Sequence, residues 1–580
     1  MSQGPAAGPV PQHWSVDVWP QLPPELAERI VSSLDHNEIA GTFCRVNKAT
    51  AERFSGPQQT TIRLSERVPT HAFAAHWLAP GATRGLTLEQ RKRLVRLVAA
   101  SDVLANLEVA LQAAGFVAAV HEAFDAAAGA GHLSTCQWLW DYSRGRTEDF
   151  YAPYAHLAVA SAAGGGHRHV CEWLLSIDPK APASTAIKAA RGGHADLAEW
   201  LFQQGPPLSA VSFYMSEVAH GCDLPVLQRA WLRLGPSLSP HSKETLLSSA
   251  ASSPTPDWAA KVEWLEALGC RPGTTAALYA AELPDCGEAL ARLTWLRGRG
   301  YPVDGAVVAA AACNGNTAAL QALLTEVPVD DNDVNAEVAW GYTAAMDAAA
   351  GGHLTALQAL HAAGCPMQEY LGALAPLAAR AGHLHVLVWL LGPQWAEPVV
   401  LDEYVFTAAV ASGSVELLAW LRQRGCPWGS SAFAAAAEAG GVELLAWLRQ
   451  RGCPYSRHVY TVAAEAGCVA ALEWLAEQGC LMEESGQPYA KACANGDMAA
   501  ARCLRRLGVP WGPTGHVFLG AAEQGFLQAP LPLLRWLLRE GCPVDFEAFK
   551  ATVLKWPGGM SRRANEVVTL VDEHMGRRQQ

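Results

Sequence analysis

Apolar and polar residues in the middle of the chain follow a helical period, and the whole pattern repeats. Residues 413–427 read GSVELLAWLRQRGCP and residues 440–454 read GGVELLAWLRQRGCP, identical in fourteen of fifteen places at an offset of 27. In the second copy Leu444, Leu445 and Leu448 are three and four residues apart, so they share one helical face. A match this long at a fixed offset indicates a structural repeat.

A Trp-Leu pair, with Ala or Cys in place of Trp three times, marks the repeat along the chain. Successive marks are 27 to 37 residues apart, and they stand at positions 138, 173, 200, 231, 264, 295, 322, 359, 389, 420, 447, 474, 503 and 536. A degenerate copy of the repeat at Ala110-Leu111 caps the start of the array. We therefore predict about fourteen repeats, with the Trp residues at a core-facing position where they fill the space between units.

Each repeat predicts two short helices. An Ala-rich segment such as 432–439 ends at Gly440, and a second segment, 442–451, ends at Gly452, where a helix needs a left-handed residue to stop. Pro454 prevents the second helix from continuing. Helices of eight to ten residues are marginal alone, so the core has to be built by stacking units. The expected fold class is an all-α solenoid.

The repeat resembles the ankyrin repeat. The sequence AARGGH at 189–194 recurs as AAGGH at 349–353 and AARAGH at 378–383, and the resemblance covers about residues 100–550. The Thr-Pro-Leu-His turn of that family is missing, so the closest likeness is to the short-repeat ankyrin proteins of green algae and giant viruses. The resemblance implies a concave binding face formed by the first helices and the loop edge. Leucine-rich and tetratricopeptide repeats need Asn or Trp-Gly-Tyr patterns that this chain lacks.

The front of the chain resembles an F-box. A Leu-Pro opening leads into apolar residues at helical spacing, and the family binds the Skp adaptor of cullin–RING ubiquitin ligases through such helices. The residues that the resemblance assigns to adaptor binding are Leu22, Pro23, Leu26, Ile30 and Leu34. The family's Trp is replaced near Thr50 by polar residues. An N-terminal helical cap for the solenoid, with the apolar stripe facing its own hairpin, is the alternative.

We expect five regions. They are a disordered Pro/Gly-rich tail at 1–19, the F-box-like domain at 20–56, a linker with a helix at 57–100, the repeats at 101–556, and a capping helix and tail at 557–580. In the linker, TTIRLSERV predicts a short strand or extended piece, followed by a helix over LTLEQRKRLVRLVAAS. Its basic run, Arg91, Lys92, Arg93 and Arg96, is expected to form a solvated helix face.

Charge and hydropathy exclude several classes of partner. The net charge of −12 and pI of about 5.9 provide no broad electropositive surface, so we expect no nucleic-acid partner. There is neither a signal peptide nor an apolar run long enough to span a membrane. We therefore expect an intracellular monomer, cytoplasmic or nuclear, with no membrane partner.

No motif for catalysis, cofactor binding or metal binding emerges from the sequence. Six of the fifteen cysteines occupy one repeat position, where neighbouring copies lie about 8–10 Å apart, too far for disulfides or a shared zinc ion. The histidines of the Gly-His pairs, such as His132, His167, His194, His353 and His383, are expected to hydrogen-bond at a turn. We expect no catalytic residue, no cofactor and no metal, and thus no enzyme.

The positions after each Gly-Cys-Pro loop vary from unit to unit. Aromatic residues and Arg on an exposed loop edge are typical anchors of a protein interface. The expected partner-binding residues are Met367, Tyr370, Trp428, Tyr455, Arg457 and Trp511. The leading hypothesis is the substrate-recognition subunit of a cullin–RING ubiquitin ligase, with the repeats holding a target protein. A scaffold or inhibitor without a ubiquitin link is the alternative, and an enzyme regulator with a pocket between units is a remote third.

Overall fold

The computed structural model describes residues 24–45, 48–144, 153–179, 183–204, 211–327, 334–397, 399–524, 531–553 and 562–579. Within these ranges the chain forms helices and connecting turns, and no strand. No helix in this part of the chain has an apolar stretch long enough to cross a bilayer. The predicted all-helical repeat solenoid is confirmed.

In the described part of the chain, seven α-helices precede the repeats: α1 Pro24–Val31, α2 His36–Gly41, α3 Lys48–Arg53, α4 Pro57–Thr60, α5 Thr70–Trp77, α6 Leu88–Ala100 and α7 Leu104–Ala114. The first four surround a small core of Val31, Ile39 and Phe54 that is separate from the main core. The sequence suggested a short strand or an extended piece over residues 60–68. The structure has no strand there, and the buried Asn37 holds the irregular connection 61–69. Its Nδ2 donates to the carbonyl oxygens of Arg63 and Arg67, at 2.7 and 3.1 Å.

Fourteen helix pairs follow in the described part of the chain, and we number them units 1 to 14. The first helices are α8 Ala119–Gly129, α10 Pro153–Gly164, α12 Ala183–Arg191, α14 Val211–Gly221, α16 Pro240–Ala251, α18 Thr274–Ala281, α20 Gly305–Cys313, α22 Val334–Gly351, α24 Leu371–Ala381, α26 Glu403–Ala411, α28 Ser430–Glu438, α30 Val459–Ala466, α32 Gln487–Ala494 and α34 His516–Gln524.

The second helices are α9 Leu133–Arg144, α11 Arg168–Ile177, α13 Ala195–Gln203, α15 Leu224–Leu234, α17 Trp258–Ala267, α19 Cys286–Gly298, α21 Thr317–Leu324, α23 Leu354–Ala362, α25 Leu384–Leu390, α27 Val415–Gln423, α29 Val442–Gln450, α31 Val469–Glu477, α33 Met498–Arg506 and α35 Leu531–Arg539. Two helices, α36 Phe546–Val553 and α37 Arg562–Gln579, complete the described chain.

Local sequence explains where the helices of a unit begin and end. Gly440 and Gly452 follow α28 and α29 with φ of +71° and +79°, a left-handed conformation that favours Gly over any residue with a Cβ. In the neighbouring copy Ser414 caps α27, because its Oγ accepts a hydrogen bond from the Leu417 amide at 3.2 Å. The near-identical copies therefore fold into near-identical helix pairs.

The first helices form a tightly packed row, and the second helices form a looser one. Each first helix carries two consecutive buried residues near its end, at least one of which is Ala, such as Ala436 and Ala437 in α28. Small side chains let these helices approach each other closely, whereas the second helices are held apart by larger residues such as Leu445 and Leu448. An array whose one row is more closely spaced than the other curves toward the close row, so the first helices line the concave side.

The Trp residues do not occupy the buried core position that the sequence suggested. Trp420 and Trp447 are half-buried and pack onto the outside of the core, which Leu residues fill. The guanidinium of Arg424 lies 3.8 Å from the Trp420 ring centroid, and that of Arg451 lies 4.2 Å from the Trp447 ring centroid. Each Arg follows its Trp by four residues and so shares its helix face. The Trp row is a packed but partly exposed outer layer.

Polar side chains at the turns bind carbonyl oxygens of the preceding unit. His132 Nε2 donates to the Ala100 oxygen at 2.9 Å, and His383 Nε2 donates to the Ala350 oxygen at 3.0 Å. Asn316 stands at the equivalent position of unit 7 and donates to the oxygens of Ala281 and Leu283. Such donors satisfy carbonyl groups that the end of a helix leaves unpaired.

Lys261 serves the same purpose in a buried site. Its ammonium donates to the carbonyl oxygens of Ala219 and Cys222 and to Ser253 Oγ, each at 2.7 Å. Burial lowers the pKa of Lys261 to about 8, because the charged form loses its hydration.

The array curves so far that its start meets its later units. The Ala470 amide of unit 12 donates to the Arg84 oxygen at 2.8 Å, and the Ala499 amide of unit 13 donates to the Gly115 oxygen at 2.8 Å. The Val117 amide donates in return to the Gly496 oxygen at 3.1 Å. We call this contact, between residues 84–117 and the turns of units 11 to 13, the seam.

Arg91 lies at the centre of the seam, and its expected place on a solvated face is wrong. Its side chain is 1% exposed and forms a two-pronged ion pair with the fully buried Asp497, with contacts of 2.5 and 3.2 Å. It also donates to the carbonyl oxygens of Ala114 and Gly467, each at 2.8 Å. Glu473, beside it, pairs with Arg84 and Arg506. The basic run supplies a buried connection between distant parts of the chain.

The seam closes one superhelical turn. About twelve steps of about 9 Å between adjacent first helices give a circumference on the order of 110 Å and a radius of about 17 Å. Subtracting about 5 Å for the inner half of a helix leaves a central channel about 24 Å across. The concave face of the solenoid therefore surrounds this channel.

Candidate interaction surface

One position of each first helix presents its side chain on the concave face. The residue five places before the first of the two buried residues points away from the core in unit after unit, and we call this set the inner column. Its members in units 1 to 14 are Glu122, Leu157, Ser184, Phe213, Thr245, Thr275, Ala306, Thr343, Ala373, Tyr404, Ser431, His458, Gln487 and His516. The buried pairs are nearly constant, whereas the inner column changes from unit to unit.

Three members of the inner column are large apolar side chains left in the open. Leu157, Phe213 and Tyr404 are 65%, 68% and 69% exposed. Single exposed apolar residues are ordinary, but these three share one register on one enclosed face. An arrangement of this kind is typical of a surface that binds another molecule.

Polar groups on the same face pair with their neighbours. Arg191 Nη1 lies 3.1 Å from a Glu217 carboxylate oxygen across units 3 and 4, and Lys491 Nζ lies 2.9 Å from that of Glu465 across units 13 and 12. These pairs are exposed and contribute little to stability. The inner column itself contains neither Lys nor Arg.

The residues predicted to bind a partner after the Gly-Cys-Pro loops have mixed positions. Met367 is only 1% exposed and belongs to the core, so it does not lie on an exposed loop edge. Tyr370 is half-buried, with its ring centroid 5.0 Å from that of Tyr342. Arg457 is exposed and lies 3.7 Å from a Glu484 carboxylate oxygen.

The aromatic members of that set are also half-buried. Trp428 packs edge-on against Phe406 at 5.4 Å between centroids, and Tyr455 packs against Phe433 at 5.5 Å. Trp511 stacks on Tyr489 at 4.0 Å. An Arg guanidinium also covers each ring. The distances to the ring centroids are 4.0 Å for Arg422 on Trp428, 4.7 Å for Arg449 on Tyr455 and 5.5 Å for Arg505 on Trp511. The variable aromatics thus close the gap between units and leave one edge to solvent.

The residues assigned to adaptor binding are only partly described. Leu22 and Pro23 lie outside the described residues, and the side chain of Ile30 is not described. Leu26 is 45% exposed on α1, whereas Leu34 packs on the small front core. A cleft of about 350 Å³ opens beside it, lined by Glu28, Val31, Ser32, Leu34, His36, Ile39, Phe54 and Gln59.

The fifteen cysteines are free thiols. Burial raises the pKa of Cys426 and that of Cys453 to about 11. Their Sγ atoms lie 3.3 and 3.5 Å from the carbonyl oxygens of Asp402 and Gly429. In the described part of the chain no three His, Cys, Asp or Glu residues gather as they would around a metal ion.

Comparison with known proteins yields structural likeness alone. No protein-family model and no curated protein matches this chain. Among solved structures, the maize pentatricopeptide repeat protein PPR10 has 12% identity and a TM-score of 0.26, covering 92% of this chain and 85% of its own. The same protein in complex with an 18-nt psaJ RNA element has 13% identity and a TM-score of 0.31, covering 88% of this chain and 77% of its own.

These findings correct one expectation. Similar structures include a protein bound to RNA, which contradicts the exclusion of nucleic-acid partners. That exclusion relied on a net charge summed over 580 residues, which does not describe any local surface. The RNA is a ligand of PPR10. A TM-score of 0.31 is too low to infer from it which ligand this chain binds.

Proposed function

We propose that the chain is a non-catalytic scaffold whose inner column binds a segment of another protein. The observation that carries the proposal is the shared register of Leu157, Phe213 and Tyr404, three large apolar side chains exposed on the concave face. Apolar anchors favour a polypeptide, whereas nucleic-acid affinity depends chiefly on Lys and Arg contacts to phosphates.

The size of the channel favours a segment over a whole domain. An α-helix with its side chains is about 10–12 Å in diameter, so a channel about 24 Å across accommodates one and leaves room for the side chains of the channel wall. A folded domain of about 100 residues has a radius of gyration of about 13 Å, and thus a diameter above 30 Å. An extended or helical stretch of a target protein is the matching partner.

A photo-cross-linking amino acid placed in unit 4 tests this proposal. Phe213 and Leu232 are both exposed, at 68% and 81%, but Phe213 lies on the first helix and Leu232 on the second. We expect cross-linking in cells to attach a polypeptide at position 213 and none at position 232. Equal labelling at both positions, or RNA attached at position 213, would contradict the proposal.

We further propose that the front helices α1 to α4 dock a Skp-type adaptor, which makes the chain the substrate receptor of a cullin–RING ubiquitin ligase. The exposed Leu26 on α1 and the separate front core support a self-contained module with a free apolar position. The ankyrin and F-box likenesses of the sequence motivate this reading. The alternative is the same scaffold with no ubiquitin link.

Co-purification with a Skp-type adaptor decides between the two. We expect the wild-type chain to retain the adaptor, Leu26→Asp to lose it, and Leu78→Asp to keep it, since Leu78 is 54% exposed but lies after α5. A wild-type chain that retains no adaptor would exclude the ligase role and leave the scaffold intact.

A further inference from the structure

The seam differs in composition from most contacts between neighbouring units. Units pack through buried Ala and Leu side chains, such as Ala436 and Leu445. The seam also buries apolar atoms such as those of Leu88, but two ion-paired carboxylates, Asp497 and Glu473, and backbone hydrogen bonds lie at its centre. It brings together residues such as Arg91 and Asp497, which are 406 positions apart.

Two of its hydrogen bonds use amides that a helix normally leaves unpaired. Ala470 and Ala499 are each the second residue of their helices, α31 and α33, where the amide has no acceptor within the helix. In the seam they donate to the Arg84 and Gly115 oxygens. The equivalent amide of α27, that of Glu416, is outside the seam. The seam therefore satisfies groups that can return to water without breaking a helix.

The buried ion pair makes the seam specific rather than strong. Removing two charges from water costs nearly as much as their attraction returns, so such a pair adds little net stability when closed. Arg91 Nε is buried with no hydrogen-bond acceptor, which adds a further cost. A Cβ at Gly467 would lie 2.3 Å from Asp497 Oδ2 and 2.9 Å from Leu88 Cβ, so closure also demands Gly there.

We infer that the seam is a separable closure. It opens as one unit while the stack of repeats stays folded, and it converts the closed ring into an open spiral. Opening returns the Arg91–Asp497 pair, Glu473 and three backbone hydrogen bonds to water, which can solvate them, whereas separating two neighbouring units would expose their apolar core. The opened seam is a lateral entrance to the channel. The inference about the closure stands without the proposed function, because it concerns the chain alone.

Hydrogen exchange on the full chain tests the closure. In the wild type we expect the seam amides of Ala470, Ala499 and Val117 to share one intermediate protection, below that of the core amide of Leu445. In Asp497→Asn, which leaves Arg91 without its charge partner, we expect all three to exchange faster, on the order of a hundredfold. The core amides should keep their rates, and small-angle scattering should show a larger radius of gyration.

Asp223→Asn is the matched control. Asp223 caps α15 as Asp497 caps α33, each accepting a backbone amide at 3.1 Å, but Asp223 is exposed and lies in unit 4, away from the seam. We expect it to leave seam exchange unchanged. Seam amides as protected as the core in the wild type, three unrelated seam rates, or unchanged rates in Asp497→Asn would each overturn the inference. Loss of core protection along with the seam would overturn it too.

Discussion

The contact between neighbouring units and the seam solve the same problem, holding two helix pairs together, in opposite ways. Units 10 and 11 pack through residues such as Phe406, Phe433 and Leu445, all fully buried and apolar. The seam places Arg91 and Asp497 at its centre, equally buried but charged. Apolar packing is non-directional and strong, whereas a buried ion pair is directional and adds little net stability.

The two kinds of contact differ in how far they tolerate substitution. Unit contacts repeat along the array, so each carries part of a shared core and none is special. The seam forms once, at the position where the curvature of the array brings its start to units 11 to 13, and a directional ion pair selects that register. Strength lies in the repeated contact, and specificity lies in the single one.

The largest effect is expected inside a unit contact. Phe433→Ala removes a fully buried ring that packs against Tyr455 and Trp474, and it should cost about 3–5 kcal/mol of unfolding free energy. Urea unfolding followed by circular dichroism measures the loss. Tyr404→Ala, at a 69% exposed position, should change the unfolding free energy by no more than about 0.5 kcal/mol. Equal losses would mean that Phe433 and Tyr404 do not differ in burial.

A double variant tests the electrostatic account of the seam. Asp497→Asn alone should lower the free energy of unfolding by about 3 kcal/mol, because it leaves the Arg91 cation buried without its partner. Arg91→Met combined with Asp497→Asn removes both charges and should recover most of that loss. If the double variant instead loses more than Asp497→Asn alone, the pair is not coupled and the seam is held by other contacts.

The Trp row should respond less than the core. Trp447 is half-buried under Arg451, so Trp447→Ala removes about half of the contact area of a core aromatic and should cost about 1.5 kcal/mol in urea unfolding. A cost of about 4 kcal/mol or more would place Trp447 in the core after all.

Lowering the pH should weaken the contacts at the turns, with a smaller effect on stability than the substitutions above. Burial lowers the pKa of His167 and that of His353, so the folded chain favours the neutral rings. As the pH falls below about 6.5, these rings take up protons in the unfolded chain before they do so in the folded chain. The folded state therefore loses stability until the pH reaches the lower pKa values of the folded chain. We expect the urea midpoint to fall between pH 7.5 and 5.5. His353→Asn, which copies Asn316, should reduce that fall; an unchanged pH profile would exclude His353 as a contributor.

The sequence predicted the part of the fold that repeats. The period of VELLAWLRQRGCP, its glycines and its Ala-rich partner segment led to the helix pairs and their stacking, because each signal is local and recurs. The Trp row was placed too deep, since a period shows which positions are equivalent but not how far each lies from the surface. Met367 was misplaced for the same reason.

The inner column could have been predicted from the sequence, whereas the seam could not. Aligning the first helices on their buried pairs would have brought Leu157, Phe213 and Tyr404 into one register. Nothing in the sequence links Arg91 to Asp497, because their contact depends on many small rotations summed over twelve or so units. A basic run on a short helix is usually solvated, and only the closed turn makes Arg91 an interior residue.

The closed turn is tested most directly by the exchange of three amides at the same helix position. Those of Ala470 and Ala499 donate across the seam, and that of Glu416 stands at the same second position of α27, outside it. Measured at single-residue resolution in the wild-type chain and corrected for intrinsic rates, Ala470 and Ala499 should exchange more slowly than Glu416. If all three exchange equally fast, the solenoid is open and the seam does not form.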